Sequence, residues 1–222
     1  MSYLVTGTDT DVGKTLIACA LLHGLAAQGR RVVGMKPVAA GLDDQGDNAD
    51  VLALRAASNV VALPEQVNPY RFQPAAAPHL AADQAGVRIE LARIVDAYRE
   101  LAGQADEVIV EGAGGFRIPL NDTQDSADLA VALGLPVILV VGMRLGCLNH
   151  ALLTAEAIAA RGLRLAGWVA NCIDPHMAFR DENIASLRQR LAAPLLGVVP
   201  HQPNTDARSL VLELESLHEY PA

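Results

Sequence analysis

The sequence predicts an α/β fold in which a mostly parallel sheet carries helices on both of its faces. Short apolar runs bounded by Gly, Pro or polar residues alternate with segments whose apolar residues recur at helical spacing. Alternating strands and helices form βαβ units, whose strands are parallel and buried on both sides. Hydrophobic residues make up 51% of the chain and aromatic residues only 4%, so we expect a core of Ala, Val, Leu and Ile. A length of 222 residues fits one such domain, residues 1–222.

Six apolar runs rich in β-branched residues predict the strands, which cover residues 3–7, 31–36, 107–112, 136–142, 165–171 and 195–200. Three other segments predict helices because their apolar residues recur every three or four positions. The first helix follows a Gly-Lys-Thr sequence, and the other two include residues 91–101 and 184–191. A short last helix is predicted from Leu210, Val211, Leu214 and Leu217.

The connection from about Gly41 to Gly86 is unusually long for such a fold. It has a short helical pattern after Asp50 and then an otherwise irregular stretch that contains four prolines, and Tyr70 and Phe72 lie in it. Long connections in compact domains are usually functional or disordered. We expect an ordered loop on the substrate side of the sheet.

Composition and charge exclude several classes of function. The net charge is −8 and no cluster of Lys and Arg occurs, which argues against a nucleic-acid surface. The three cysteines, Cys19, Cys147 and Cys172, form no Cys-x-x-Cys pair, so neither a disulfide framework nor a zinc ribbon is expected. The N-terminus has neither a basic segment nor a long apolar one. We therefore predict a cytoplasmic protein with no membrane partner.

The stretch TGTDTDVGKT, residues 6–15, predicts a phosphate-binding loop and hence a P-loop NTPase-like fold. Glycines allow backbone N–H groups and a helix N-terminus to point at phosphate. Lys14 is placed to reach the β- and γ-phosphates, and the Thr15 hydroxyl is placed to bind Mg²⁺. Five residues separate Gly7 from Gly13, one more than usual, and Asp9 and Asp11 are among them. The alternative, a chance Gly-Lys-Thr at a helix start, is disfavoured by the strand before it and the amphipathic helix after it.

Polar residues that follow the predicted strands are candidates for the same site, because parallel sheets bind ligands at the carboxyl ends of their strands. Lys36 is expected to stabilise charge on a transferred phosphoryl group, although a solvated lysine is the alternative. Glu111 is a candidate Mg²⁺ ligand or a solvated strand end. Asp50 is a candidate Mg²⁺ ligand or a helix cap, and the two roles do not exclude each other. Asn171 and the segment Pro200–Gln202 fall on the same edge.

The segment LGCLNH, residues 145–150, has two interpretations. It is either a plain turn with Asn149 as the cap of the next helix, or a helix N-terminus whose free N–H groups bind a substrate carboxylate. The six histidines show no metal-ligand spacing, and we expect Tyr98 and Trp168 to serve packing.

Six stretches together resemble dethiobiotin synthetases: TGTDTDVGKT, KPVAAG (36–41), NPYRF (68–72), VEGAGG (110–115), VILVVGMRLGCLNHALLT (137–154) and LAGWVANC (165–172). The resemblance runs in order from residue 3 to about residue 202 and includes the longer glycine loop. It implies a homodimeric enzyme that uses ATP and Mg²⁺. The implied substrates are 7,8-diaminononanoate and CO₂ or bicarbonate, and the implied products are dethiobiotin, ADP and phosphate, formed through a carbamate and a carbamic-phosphoric anhydride.

The resemblance also implies roles for individual residues. Lys36 is the catalytic cation, and Thr15, Asp50 and Glu111 are the Mg²⁺ ligands. The ATP-binding set is Asp11, Val12, Gly13, Lys14, Thr15, Leu16, Asp50, Glu111, Gly112, Ala113, Gly114, Asn171, Cys172, Pro200, His201 and Gln202. The substrate-binding set is Thr10, Lys36, Ala40, Gly146, Cys147, Leu148 and Asn149, with residues 146–149 acting across a dimer interface.

The chain departs from the family pattern at two positions. Ala40 stands where the family commonly has a hydroxyl residue, so one substrate hydrogen bond is missing or is made through water. A Tyr that helps to hold the substrate carboxylate in some members has no evident counterpart, and Asn183 falls near its place.

Three other functions remain as alternatives. A nucleotide-switched partitioning or positioning ATPase shares this fold but usually has an extra lysine early in the loop, where this chain has Thr8, Asp9 and Thr10. An amidotransferase-type synthetase needs a glutaminase domain, for which the sequence has no room. The third is a nucleotide-binding protein without catalysis, which would bind ATP without diamine-dependent turnover.

Overall fold

The computed structural model describes residues 2–217 and confirms the predicted fold class. Six parallel strands form the central sheet in the order β2-β5-β1-β6-β7-β8. Their bounds are β1 Tyr3–Gly7, β2 Val32–Met35, β5 Glu107–Gly115, β6 Val137–Gly142, β7 Leu165–Asn171 and β8 Leu195–Val199. Each lies within about two residues of a predicted strand, except that β5 continues through the glycines that follow Glu111.

Two more strands form a separate parallel pair: β3 Val38–Ala40 lies directly before the long connection 41–86, and β4 Tyr70–Phe72 lies within it. The helices of the described residues are α1 Lys14–Ala27, α2 Ala49–Ala57, α3 Pro64–Val67, α4 Pro78–Gln84, α5 Leu91–Ala102, α6 Ser126–Leu133, α7 Cys147–Ala160 and α8 Arg180–Arg190. Among residues 2–217, no helix is long and apolar enough to cross a membrane.

Successive side chains of a strand point to opposite faces of the sheet, so the core has two parts, one on each face. Tyr3 and Val5 of β1 pack with α1, α2 and the segment around Leu214, whereas Leu4 packs with α5 and α6 on the opposite face. On the same face as α5 and α6, side chains of β6 and β7 pack against α7 and α8. Trp168 of β7 is fully buried there. The predicted packing roles of Trp168 and Tyr98 are confirmed.

Two predictions about local structure are wrong. In the connection 41–86 the short helix predicted after Asp50 is confirmed as α2, but the stretch predicted to be irregular contains α3, β4 and α4, which are too short to carry a periodic pattern. Leu210 to Leu214 do not form a helix: two 3₁₀ turns, Ala207–Ser209 and Glu215–Leu217, flank an extended segment. Tertiary contacts decide the conformation here, since Leu214 is buried against α1 and the Glu213 N–H donates to Leu196 O at 2.8 Å.

Both outer edges of the central sheet have hydrogen-bond partners. On β2, the side chain of Asn59 accepts from the Val32 N–H, the Ser58 hydroxyl accepts from the Gly34 N–H, and the N–H groups of Asn59 and Val60 donate to Val32 O. On β8, the extended segment around Glu213 supplies the contact to Leu196. Polar backbone at both edges is thereby engaged by the chain itself.

Candidate active site

The loop between β1 and α1 folds as a phosphate-binding loop. Gly13 caps α1 with a φ of 90°, and Asp11 also has a positive φ of 57°. A Cβ at Gly13 would lie 2.2 Å from Nδ2 of Asn171, which itself donates to Val12 O at 2.8 Å. Only glycine therefore fits at this position, and β7 fixes the shape of the loop through Asn171.

Lys36 and Glu111 meet because of strand register. Met35 of β2 pairs with Val110 of β5, so the next residues along the two strands, Lys36 and Glu111, are also neighbours. Lys36 Nζ lies 2.6 Å from Glu111 Oε1, and both side chains are buried. Lys36 is therefore not solvated, and the alternative of a solvent-facing lysine is wrong. Glu111 is likewise buried within β5, which excludes a solvated strand end.

Asp50 reaches the same point from the first turn of α2. The helix is capped by Asn48, whose side-chain oxygen accepts from the N–H groups of Asp50 and Val51. The amide of Asn48 donates to Ala40 O and Gly41 O, which ties the start of α2 to the end of β3. The alternative role of Asp50 as the cap is thus wrong: Asn48 caps the helix, and the carboxylate of Asp50 is available to the site.

Five side chains converge at this edge of the sheet. The Thr15 hydroxyl lies 2.8 Å from Asp50 Oδ1 and 2.8 Å from Glu111 Oε1. Lys36 Nζ lies 2.9 Å from Asp50 Oδ2 as well as close to Glu111. Lys14, whose Nζ donates to Asp9 O at 2.8 Å, completes the group of charges. One hydroxyl, two carboxylates and two ammonium groups therefore lie together at this edge of the sheet.

The charges shift one another's pKa values. Burial lowers the pKa of Lys36, but the carboxylates of Glu111 and Asp50 outweigh burial, so its pKa lies above the ordinary value. Burial acts to raise the pKa of Asp50, yet Lys36 holds that pKa below its usual range. Complete burial raises the pKa of Glu111 although Lys36 opposes it. Burial and then the nearby Lys36 lower the pKa of Lys14, so an anion beside Lys14 would favour its charged form.

The donor set suits a hard divalent cation. Mg²⁺ prefers oxygen ligands from one or two carboxylates, with phosphate oxygens and water completing its coordination. The oxygens of Thr15, Asp50 and Glu111 are close together, and Glu111 Oε2 is buried without a hydrogen-bond partner among residues 2–217. A buried carboxylate oxygen without a donor is costly unless a cation or water serves it. The oxygens of these three residues therefore fit a bound Mg²⁺ ion.

The backbone of Lys36 is held by the segment that links α3 to β4. The Lys36 N–H donates to Val67 O at 2.8 Å. The buried amide of Asn68 donates to Lys36 O at 2.6 Å and to Tyr70 O at 2.9 Å. The residue that presents the ammonium group is thus anchored on both sides of its Cα.

A cleft of ≈ 830 Å³ lies over these groups, which is ample for a nucleotide and a small second substrate. Its apolar wall comes from residues 75–78 and Ile118. The predicted site residues that line it are Thr10, Asp11, Gly13, Lys14, Thr15, Lys36, Ala40, Asp50, Glu111, Ala113 and Gly114.

The other predicted residues do not line this cleft. Val12 is buried beneath the loop, Leu16 and Gly112 are half-buried, and Cys172 is buried at the end of β7. Residues 200–202 are exposed at the end of β8. Residues 146–149 form the N-terminus of α7, with Gly146 as the cap, so the interpretation of Asn149 as the cap is wrong. Asn183 is half-buried, and its amide donates to O of Phe179, the residue that caps the start of α8.

Three residues of the site were missed in the sequence. The side chains of Asn48 and Asn68 hydrogen-bond to backbone groups of the site. The sequence offered only two signals for them: Asn48 lies two residues before Asp50, and Asn68 begins the stretch NPYRF. Arg144 pairs with Asp9, with Nη2 2.5 Å from Oδ2, which accounts for one of the two acidic residues in the loop. Its place directly after β6 was the available signal, since polar residues after parallel strands gather at this edge.

Sequence comparisons identify close relatives. A family model described as an AAA domain matches residues 1–209. The "ATP-dependent dethiobiotin synthetase BioD" of Nitrosospira multiformis is 60% identical over 208 residues, which cover 94% of this chain and 92% of the relative. The protein of the same name from Aromatoleum aromaticum is 56% identical over 216 residues, covering 96% of each chain.

Solved structures with low sequence identity share the fold. The septum site-determining protein MinD of Pyrococcus horikoshii, complexed with Mg-ADP, has a TM-score of 0.58 at 17% identity and covers 99% of this chain and 90% of its own. Chloroplast FtsY from Physcomitrella patens has a TM-score of 0.56 at 15% identity, covering 97% of this chain and 64% of its own. At these identities the similarity establishes the P-loop NTPase fold alone.

Proposed function

The chain belongs to the dethiobiotin synthetase family, and from that membership we propose how its own residues perform the reaction. It is an ATP-dependent enzyme of biotin biosynthesis. The proposed substrates are 7,8-diaminononanoate, CO₂ and ATP, and the products are dethiobiotin, ADP and phosphate. The observation that carries the assignment of residues is the convergence of Lys36, Thr15, Asp50 and Glu111 beneath one cleft.

The reaction consists of three bond-forming steps. An amine nitrogen of the diamine attacks CO₂ and loses a proton, which gives a carbamate. A carbamate oxygen attacks the γ-phosphorus of ATP, and ADP leaves, which gives a carbamic-phosphoric anhydride. The second amine attacks the carbonyl carbon and loses a proton, and inorganic phosphate leaves as the ureido ring closes. Catalysis of such a phosphoryl transfer is mainly positioning and charge stabilisation.

ATP is held by the loop and by the ends of β7 and β8. The N–H groups around Gly13 and the ammonium of Lys14 bind the phosphates at the start of α1. Residues 112–114 contact phosphate from the end of β5. Asn171, Cys172 and the exposed segment 200–202 meet the adenine, which their common position at the carboxyl edge of the sheet supports.

We assign Mg²⁺ to the oxygens of Thr15, Asp50 and Glu111. When bound there, Mg²⁺ supplies positive charge to the phosphate oxygens. Lys36 forms ion pairs with the same two carboxylates. In the complex its ammonium group faces the transferred phosphoryl and stabilises the negative charge that develops on it.

The diamine occupies the loop side of the cleft. The extra loop residue presents Thr10 and Asp11 to the carbamate and amine end of the substrate. Ala40 lines the cleft without a hydroxyl, so a water molecule bridges to the substrate there.

The carboxylate end of the diamine is bound by a second copy of the chain. Residues 146–149, at the N-terminus of α7, offer free N–H groups but do not line the cleft of their own chain. Leu145 and Leu153 beside them are 95% and 56% exposed, an apolar surface that a homodimer would cover.

The test is ADP release from ATP, Mg²⁺ and bicarbonate, measured with and without 7,8-diaminononanoate. Diamine-dependent release, with dethiobiotin identified by mass, is the expected result. ATP hydrolysis at a rate independent of the diamine would overturn the proposal and would favour a nucleotide-switched ATPase instead. ATP binding without any turnover would indicate a protein that has lost catalysis.

A further inference from the structure

A second, smaller cavity lies behind the cleft. It is bounded by the end of β1, the start of β3, the strand end of β5 and helix α6. Leu4, Val38, Phe116, Leu120 and Leu129 supply most of its wall, and all five are buried. It leaves ≈ 20 Å³ for the centre of a water-sized molecule. A cavity needs about 10–15 Å³ on this measure to hold one water, so this cavity has room for one molecule somewhat larger than water.

The cavity adjoins the reacting groups. Val38, Glu111 and Ala113 line both it and the cleft, so a single layer of residues lies between the two spaces. Glu111 is the residue that contacts Lys36, and Pro37 beside Lys36 belongs to the wall. A molecule leaving the cavity past these residues would enter the site beside the loop.

The lining offers little to a water molecule. The Ser126 hydroxyl is already engaged, since it donates to Phe116 O at 2.7 Å and accepts from the Ile118 N–H at 2.9 Å. Glu111 and Thr6 are the other polar side chains among the lining residues. A buried water usually makes about three hydrogen bonds, whereas an apolar cavity accepts small nonpolar molecules such as xenon. The occupant that suits this cavity is small, neutral and nonpolar.

We propose that this cavity binds CO₂ next to the site of carbamate formation. The proposal rests on the proposed function, in which CO₂ is the one reactant that is small, uncharged and without a dipole. The cavity excludes bicarbonate, because an anion would lose its hydration against an almost wholly apolar wall. Its value to the enzyme is a raised local concentration of a dilute gas beside the diamine.

Gas-pressurised crystals test the cavity directly. Wild-type crystals are held under CO₂ or xenon and then cooled, with an untreated crystal as the reference. We expect linear density for CO₂, and a single heavy peak for xenon, between Leu129 and Glu111. A round peak already present without gas would be a water molecule and would overturn the proposal, as would gas density found elsewhere only.

Steady-state kinetics of two matched variants tests whether the enzyme takes its CO₂ from this cavity. Leu129→Phe fills the cavity, whereas Leu133→Phe adds the same bulk one helical turn further along α6, at a buried leucine that does not line it. We expect Leu129→Phe to raise the KM for CO₂ about three- to tenfold, with the KM for ATP and for the diamine unchanged. Leu133→Phe should leave all three unchanged. Equal KM values for CO₂ in both variants would overturn the proposal.

Two further controls separate the possible failures. If Leu129→Phe does not fold, Leu120→Phe fills the cavity from its other wall and takes its place. If wild-type protein makes no dethiobiotin at all, the proposed function fails, whereas the crystals still report whether the cavity takes up a small nonpolar molecule. If dethiobiotin forms but no gas enters the cavity, only the present inference fails.

Discussion

Lys36 is a buried cation whose counterions are the two carboxylates assigned to Mg²⁺. Its removal leaves Glu111 buried without a charge partner, which costs about 3–5 kcal/mol for a buried pair. We predict that Lys36→Met lowers the melting temperature by roughly 10 °C and the kcat by at least about 100-fold. Mg²⁺ should restore part of the melting temperature in this variant, and differential scanning fluorimetry with and without Mg²⁺ measures it.

Lys14→Met is the matched control for that experiment. Lys14 is similarly buried but donates to a backbone carbonyl and has no ion-pair partner among residues 2–217. Its loss should reduce ATP binding, while the response of the melting temperature to Mg²⁺ should be the same as in the wild type. A Lys36→Met protein that is as stable as the wild type, and whose melting temperature responds to Mg²⁺ to the same extent, would contradict the assigned pairing.

Asp9 and Asp11 lie in the same loop but in different surroundings. Asp9 pairs with Arg144, whereas Asp11 lines the cleft with a φ of 57°. Asn tolerates this left-handed conformation, so Asp11→Asn removes the charge with little added strain. We predict that Asp11→Asn raises the KM for the diamine about tenfold, equivalent to about 1.4 kcal/mol, with the KM for ATP unchanged.

The control for Asp11 is Asp9→Asn, which removes a charge from the exposed pair with Arg144. Such pairs contribute about 0–1 kcal/mol, so its diamine kinetics should match the wild type. Initial-rate measurements with varied diamine compare the two. If both variants change the KM for the diamine, or if neither does, Asp11 does not bind the amine of the substrate.

The segment that links α3 to β4 anchors Lys36, the proposed catalytic lysine. Asn68→Ala leaves Lys36 O and Tyr70 O without this donor, at about 1–3 kcal/mol for each buried group. We predict a kcat lowered about 10- to 100-fold with the KM for ATP nearly unchanged, because the ammonium group loses its fixed position. Steady-state kinetics on folded variant protein measures both constants.

Asn121→Ala is the corresponding control, because its amide donates to Ile89 O at 2.8 Å and the residue does not line the cleft. It should lower the melting temperature without lowering kcat. If Asn68→Ala behaves in the same way, its role is structural only.

The elements that the sequence revealed are those with enough residues to carry a period. Six strands and the long helices have buried, patterned runs, and the glycine loop has a motif. The strands β3 and β4 have three residues each, which is too short for an alternation to be recognised. Leu210 to Leu214 mimic a helical spacing, but contacts with Leu196 and α1 determine their extended conformation.

The residues of the candidate site that could be predicted are those whose position follows from the parallel sheet. Lys36 and Glu111 end adjacent strands, and parallel register brings such positions together. Asn48 and Asn68 were not predictable, because their partners are backbone carbonyls whose position depends on tertiary structure. The small cavity behind Glu111 is equally invisible in a linear sequence, since five separate segments form its wall.

Across the whole molecule, the three cysteines are free and buried. Burial, then the nearby Glu111 and Asp50, raise the pKa of Cys19 to about 12, and burial raises the pKa of Cys147 and Cys172. Only the thiolate reacts with a disulfide reagent. We predict that the native protein titrates no thiol at pH 8 within minutes, whereas the protein in guanidinium chloride titrates three. One rapidly reacting thiol in the native protein would contradict this.

The covered margins of the sheet have a consequence for how the protein behaves at high concentration. An open strand margin is a template on which a second chain adds its own strand, and repetition of that step yields insoluble fibres. Here residues 58–60 occupy the margin of β2, and the stretch around Glu213 occupies that of β8. Deleting residues 207–217 would uncover the apolar run 195–199, and the shortened chain should accumulate in inclusion bodies. Residues 207–217 thus cover an edge of the sheet that lies outside the cleft.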